Sequence, residues 1–208
     1  MTAARYIDGP AGRLEVLFNR PAAGTAVRAA AVVGHPHPLH GGTLHTKVVY
    51  RTAKALASVG CAVLRFNFRG VGGSEGRFAE GEGEREDYRA ALDYQARRHA
   101  GVPLWAAGMS FGAYVALTAA SADERVERLL GIAPPVDRYD FSPLRRSTRP
   151  KYLVHGEHDE ICPLARVQSL LDELPEPKRL IVIPGADHLF TGHEALVGEA
   201  VAALFANS

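Results

Sequence analysis

Leu104-Trp105-Ala106-Ala107-Gly108-Met109-Ser110-Phe111-Gly112-Ala113-Tyr114-Val115-Ala116-Leu117 passes from a short apolar run, through a serine bracketed by glycines, into a helix-forming stretch. The order strand, G-x-S-x-G, helix demands a tight turn. Glycines two before and two after the serine let neighbouring backbones approach where a side chain would clash, and they allow the serine itself to be held in a strained conformation. Ser110 then stands at a helix N-terminus, where the dipole favours a developing negative charge. Without a strand and a helix on either side, the pentapeptide would be only a glycine-rich turn with an inert serine.

Working outward, apolar runs of similar length recur at Ala30-Ala31-Val32-Val33, Cys61-Ala62-Val63-Leu64, Leu129-Leu130-Gly131-Ile132, Tyr152-Leu153-Val154 and Leu180-Ile181-Val182-Ile183. None alternates apolar with polar. Continuous short runs suit strands covered on both faces, as in parallel sheets flanked by crossover helices. Helical signals fall between them. Val49, Ala53, Leu56 and Ala57 form a stripe that stops at Gly60, and Glu82, Glu84, Glu86 and Asp87 open a segment closed by Arg97, Arg98 and His99, acids first and bases last as the helix dipole prefers. Val197, Ala200, Val201, Leu204 and Phe205 mark a closing amphipathic helix. The pattern predicts an open, mostly parallel α/β sheet with right-handed crossovers. Leu14-Glu15-Val16-Leu17-Phe18 does alternate, which predicts antiparallel strands at one edge.

The chain has 208 residues, a length that fits one domain over 1–208. Hydrophobic residues at 47% and charged residues at 23% describe a soluble globular protein, and no apolar run is long enough to cross a membrane. A net charge of +1 provides no field for nucleic acid or an anionic membrane surface. The cluster Arg145-Arg146-Ser147-Thr148-Arg149 reads as a solvated loop. Cys61 and Cys162 read as free thiols, and the N-terminal stretch lacks the basic and apolar regions of a secretory leader, so the cytoplasm is the expected compartment. No oligomeric state is implied.

A serine hydroxyl is a weak nucleophile at neutral pH and needs a base whose tautomer is fixed by a third group. In open α/β sheets the site lies beyond the carboxyl ends of the strands, so the residues following each run are the candidates. His155-Gly156-Glu157-His158-Asp159-Glu160 and Gly185-Ala186-Asp187-His188 both follow runs, in the order acid then histidine. Asp159 is the expected acid and His188 the expected base. Asp137, one strand earlier, is the rival to Asp159. Asp187 adjoins His188 and reads as a turn residue, Glu157 and Glu160 as solvated, and His155 and His158 as polar loop residues.

An attacked carbonyl also needs two N–H donors for its developing anion. Phe111, directly after the serine, is one. The other is expected from Gly34-His35-Pro36-His37-Pro38-Leu39-His40-Gly41-Gly42. Pro36 and Pro38 have no N–H, which leaves His37 first and Leu39 second. The histidines 35, 37, 40 and 45 do not follow a metal-binding spacing and lie among prolines with no nearby carboxylate or cysteine, so no metal is expected. Asn67-Phe68-Arg69-Gly70-Val71-Gly72-Gly73-Ser74 fits neither a phosphate cradle nor a dinucleotide fingerprint and reads as a tight buttressing loop, with Arg69 paired internally.

Taken together, HPHPLHGG, NFRGVGGS, GMSFG, HGEHDEICP and GADHLF resemble, in order and over nearly the whole chain, the small lidless bacterial α/β-hydrolases of the carboxylesterase-like group. The resemblance implies the α/β-hydrolase fold and a Ser110–His188–Asp159 triad. It also implies hydrolysis of a small-molecule ester by water with no cofactor. Only about seventeen residues, Pro134 to Pro150, separate two strands where larger relatives carry a cap, so no cap is expected. That implies an open site for short acyl groups, with Phe141, Leu144 and Phe190 expected along its wall.

Overall fold

The structure, a computed structural model, describes residues 5–206. The expected unit therefore extends at both ends, 1–4 and 207–208, into positions outside the described residues. A hairpin of β1 (Arg5–Gly9) and β2 (Gly12–Asn19) opens the chain. There follow β3 (Ala29–Gly34), α1 (Lys47–Ser58), β4 (Cys61–Phe66), α2 (Glu82–Arg98), β5 (Leu104–Met109), α3 (Phe111–Ala120), β6 (Val126–Ile132), β7 (Lys151–Gly156), α4 (Leu164–Glu173), β8 (Lys178–Ile183) and α5 (Glu194–Ala206). One sheet of eight strands runs in the order β1-β2-β4-β3-β5-β6-β7-β8. Strands β3 to β8 pair in parallel, and β2 joins antiparallel to both β1 and β4, which makes the hairpin the anticipated antiparallel edge.

The absence of alternation in the runs has a simple cause. Ala30, Val32, Leu64, Ala106 and Leu129 pack on one face with Tyr88 and Leu92 of α2, Val115 of α3 and Val167 of α4. Their neighbours Ala31, Val33, Val63, Ala107 and Leu130 pack on the other with Val49 and Leu56 of α1 and Val201 and Phe205 of α5. Both faces are therefore apolar. Cys61 and Cys162 are buried free thiols. Between β6 and β7 the chain makes only a 3-10 turn, Ser142–Arg146, and the fold has no cap domain.

The basic cluster is less solvated than expected. Arg145 pairs with Glu173, Ser147 is buried, and the Arg149 guanidinium donates to the carbonyls of Val126 and, at 2.7 Å, of Ser121, which ties the loop to the end of α3. A cation within reach of unpaired carbonyls turns inward when its stem can pack.

Two struts hold the loops above the sheet. Arg69, in the glycine-rich loop after β4, places its Nη2 2.8 Å and its Nε 3.0 Å from the carboxylate of Asp87 in α2, which also accepts the Arg69 backbone N–H at 3.0 Å. Asp87 is fully buried. The second strut is His35, at the end of β3, whose Nδ1–H donates to Pro36 O at 2.6 Å while its Nε2 accepts the Phe68 N–H at 3.1 Å. Burial pushes the His35 pKa down to about 4, against the opposing pull of the Pro36 carbonyl.

Asp87→Ala leaves the guanidinium beside α2 without its buried partner and should cost about 3 kcal/mol, read as a lowered midpoint in urea denaturation. For His35, folded and unfolded chains are both neutral well above pH 6.5 and the ring contributes no pH dependence. As pH falls from 6.5 to about 4, the unfolded chain takes up a proton that the folded ring refuses, so stability drops across that window by up to about 3 kcal/mol. Urea titrations at a series of pH values should show this slope, and His35→Gln should flatten it.

Candidate active site

Ser110 sits between β5 and α3 with φ 53° and ψ −121°, a left-handed conformation that costs a non-glycine residue about 1–3 kcal/mol. The surroundings hold it there. Its N–H donates to Ile132 O at 2.8 Å, and its carbonyl accepts the N–H groups of Ala113 at 2.8 Å and Tyr114 at 3.1 Å. The motif glycines are required by contact. A Cβ on Gly108 would sit inside the Gly112 carbonyl, and one on Gly112 would lie 2.5 Å from the carbonyl group of Gly34 at the end of β3.

Three loops then converge on the hydroxyl. His188, after β8, places Nε2 2.9 Å from Ser110 Oγ and Nδ1 2.7 Å from Asp159 Oδ2. A carboxylate only accepts, so Nδ1 carries the proton and Nε2 offers a lone pair to the hydroxyl. Asp159, after β7, accepts on its other oxygen the N–H groups of Ile161 at 2.9 Å and Cys162 at 2.8 Å. Burial pushes its pKa up, but the hydrogen bonds from His188 and from the Cys162 N–H outweigh burial and hold the carboxyl below its ordinary range. The other aspartates lie elsewhere. Asp137 points outward to Arg166 at 3.5 Å, and Asp187 accepts the Thr191 N–H at 2.8 Å within its own turn.

His155 departs from the expectation of a polar loop residue. It is the penultimate residue of β7, is fully buried, and donates Nε2–H to Cys162 O at 2.8 Å, with Asp159 Oδ2 3.4 Å away. Burial pushes its pKa down, so the ring is neutral behind the acid. The apolar run Leu153-Val154 continuing into His155-Gly156 was the available sign that this residue belongs to the strand. His158, by contrast, is exposed as expected.

A cavity of about 480 Å³ opens over Ser110 and His188, and its wall includes His37 and Phe111. Phe111 opens α3, so its N–H is among the first four of the helix, which have no intrahelical acceptor. His37 has no acceptor for its own N–H among the described residues, while its ring accepts the Leu39 N–H at 3.2 Å. That bond engages Leu39, which is 69% exposed, and removes it as a donor to the cavity. Burial, together with the nearby His40 and Arg138, lowers the His37 pKa and keeps the ring neutral.

The expected wall residues are elsewhere. Phe141 and Leu144 are buried in the core on the α3 face, with Phe141 5.8 Å edge-on to Tyr114, and Phe190 is fully buried in the opposite core with α1 and α5. Each is an apolar side chain close to a loop's anchor point, where the core is nearer than the site. The wall instead carries Arg138, Tyr139, Ile161 and Leu189. Position in the chain could not separate these from their neighbours, because which side of a short irregular loop faces the cavity depends on its backbone path. The four histidines of the loop after β3 also diverge: both ring nitrogens of His35 are taken by backbone groups, the rings of His37 and His40 lie 4.7 Å apart, and His45 is exposed.

An α/β serine hydrolase homologue from Coxiella burnetii superposes with a TM-score of 0.92 at 38% identity, over 98% of this chain and 97% of that one. A serine hydrolase without a lid from Xanthomonas campestris superposes at 0.90 with 39% identity, over 97% and 92%. An uncharacterized protein of Rickettsia prowazekii is 39% identical over 195 residues, 89% of this chain and 81% of its own length. The family model described as serine aminopeptidase, S33 matches residues 31–149, more than half the chain. The sheet order, the glycine-bracketed turn at Ser110 and these matches agree: the chain belongs to the serine aminopeptidase S33 family and is a small, lidless α/β-hydrolase.

Proposed function

We propose that this hydrolase cleaves short-chain carboxylic esters through an acyl-enzyme on Ser110. The observation that carries the reading is the unbroken line Ser110 Oγ to His188 Nε2 to Asp159 Oδ2, at 2.9 and 2.7 Å. Ser110 Oγ attacks the ester carbonyl as its proton passes to His188 Nε2, and the imidazolium so formed is stabilised by Asp159. The N–H groups of Phe111 and His37 receive the oxyanion. The imidazolium then protonates the departing alcohol. Water, deprotonated by the same ring, attacks the acyl-serine and releases the acid.

Ester cleavage is preferred over removal of an N-terminal residue from a peptide for an electrostatic reason. An aminopeptidase must recognise a free ammonium group, which calls for a carboxylate in the wall. Among the described residues that line this cavity there is none, and the permanent charge they carry is the guanidinium of Arg138. Ile161 and Leu189, 45% and 58% exposed, give the mouth an apolar surface suited to a short acyl chain.

Ser110→Ala should reduce p-nitrophenyl butyrate turnover to background and abolish covalent labelling by a fluorophosphonate probe, with the circular dichroism spectrum unchanged; persistent turnover would remove Ser110 from the chemistry. Asp159→Asn, which leaves the ring without its acceptor, should lower kcat by about 10³ to 10⁴. A matched series of p-nitrophenyl ester, thioester and anilide substrates should rank the ester first by kcat/KM. An anilide in first place would turn the assignment toward a peptidase.

A further inference from the structure

The cavity is lopsided in charge. Among the described residues, Arg138, His37 and His40 contribute to its wall and no carboxylate does, while the triad acid proposed above, Asp159, is buried and engaged with His188. Arg138 belongs to the turn after β6, where its N–H bonds to Pro135 O at 3.0 Å. The two acids nearest to it in sequence turn away. Asp137 faces Arg166 at 3.5 Å, and Asp140 accepts the N–H and hydroxyl of Ser142 at 2.8 and 2.7 Å, both lining an adjacent depression instead. Arg138 has no ion-pair partner among the described residues, in contrast to Arg69 and Arg125, which are fully engaged with aspartates.

Tyr139 fixes the geometry of this wall. Its ring stacks on Tyr114 at 4.4 Å and 18°, and meets Phe111 edge-on at 5.8 Å. Tyr139, anchored on α3, and the preceding Arg138 both line the cavity. Arg138 and His37 line the same cavity, where the guanidinium disfavours protonation of the imidazole. A planar guanidinium with free donors, beside an apolar wall and the reacting serine, matches a carboxylate or phosphate held a few bonds from a scissile carbonyl.

We infer that Arg138 forms an anion subsite, and that the preferred substrates of this hydrolase are esters bearing a carboxylate or phosphate. The inference rests on the Ser110 reading above. The anion can lie on the acyl side or on the leaving group, and matched pairs separate the two. Mono-p-nitrophenyl adipate against p-nitrophenyl hexanoate tests the acyl side, and 4-acetoxybenzoate against 4-acetoxytoluene tests the leaving group.

The wild-type protein should prefer the charged member of one pair. Arg138→Gln should lower the charged-to-neutral ratio of kcat/KM for that pair about tenfold or more, the worth of one charge-assisted hydrogen bond. Arg138→Lys should fall between, Arg138→Glu should invert the preference, and high salt should weaken it in the wild type because the cation is open to solvent. Fluorophosphonate labelling of Ser110 confirms that each variant is folded. An unchanged ratio in Arg138→Gln for both pairs, with turnover still dependent on Ser110, would overturn the subsite and leave the esterase reading standing. Turnover of neither pair by Ser110 would remove that reading and the subsite with it.

Discussion

Everything at the upper rim of the sheet depends on the contact between two backbones. The first turn of α3 lies against the end of β3, Gly112 on Gly34, with Gly108 beneath the Gly112 carbonyl, at distances that no side chain permits. That approach lets the chain reverse direction at Ser110 in a left-handed conformation and brings the loop after β3 beside the helix N-terminus. Ser110, Phe111 and His37 thereby line one cavity. The local strain of a non-glycine residue at φ 53° is sustained by the surrounding sheet, since the Ser110 N–H is tied to Ile132 on the neighbouring strand.

A second constraint is electrostatic. The loops that carry the site are anchored by histidines kept neutral by burial. His35 bridges the loops after β3 and β4, and His155 braces the turn in which Asp159 accepts two backbone N–H groups. Neutral rings suit both places. A charged ring behind Asp159 would compete with His188 for the carboxylate, and a charged ring at His35 would require an acceptor in place of the Phe68 N–H that it now receives.

The architecture was largely legible because the physics that encodes it is local. Apolar runs without alternation marked strands covered on both faces, the alternating Leu14–Phe18 stretch marked the hairpin edge, and glycines around Ser110 marked the close approach. The short span from Pro134 to Pro150 left no room for a cap, and none is present. Chain order and position at strand ends also pointed to Asp159 and His188, which the fold brings within hydrogen-bonding distance of each other. The cavity wall was not legible. Phe141, Leu144 and Phe190 are apolar and lie in the correct loops, yet they serve as anchors beneath those loops, while Arg138, Tyr139, Ile161 and Leu189 face outward into the cavity. Deciding between adjacent residues of an irregular loop requires its backbone path, which is set by distant contacts such as the stacking of Tyr139 on Tyr114. His155 was misread for a related reason, since a polar residue at a strand end takes its burial from its neighbours and not from its own chemistry.

The bare connection between β6 and β7 also governs what an acylated serine would encounter. In the proposed acyl-enzyme no cap among the described residues would close over the acyl group, so bulk solutes would reach it as freely as water. Under that proposal its fate would become a matter of competition by concentration: a small alcohol or amine in excess would be able to intercept the intermediate, so an open rim would leave such an enzyme poorly defended against acting as a transferase.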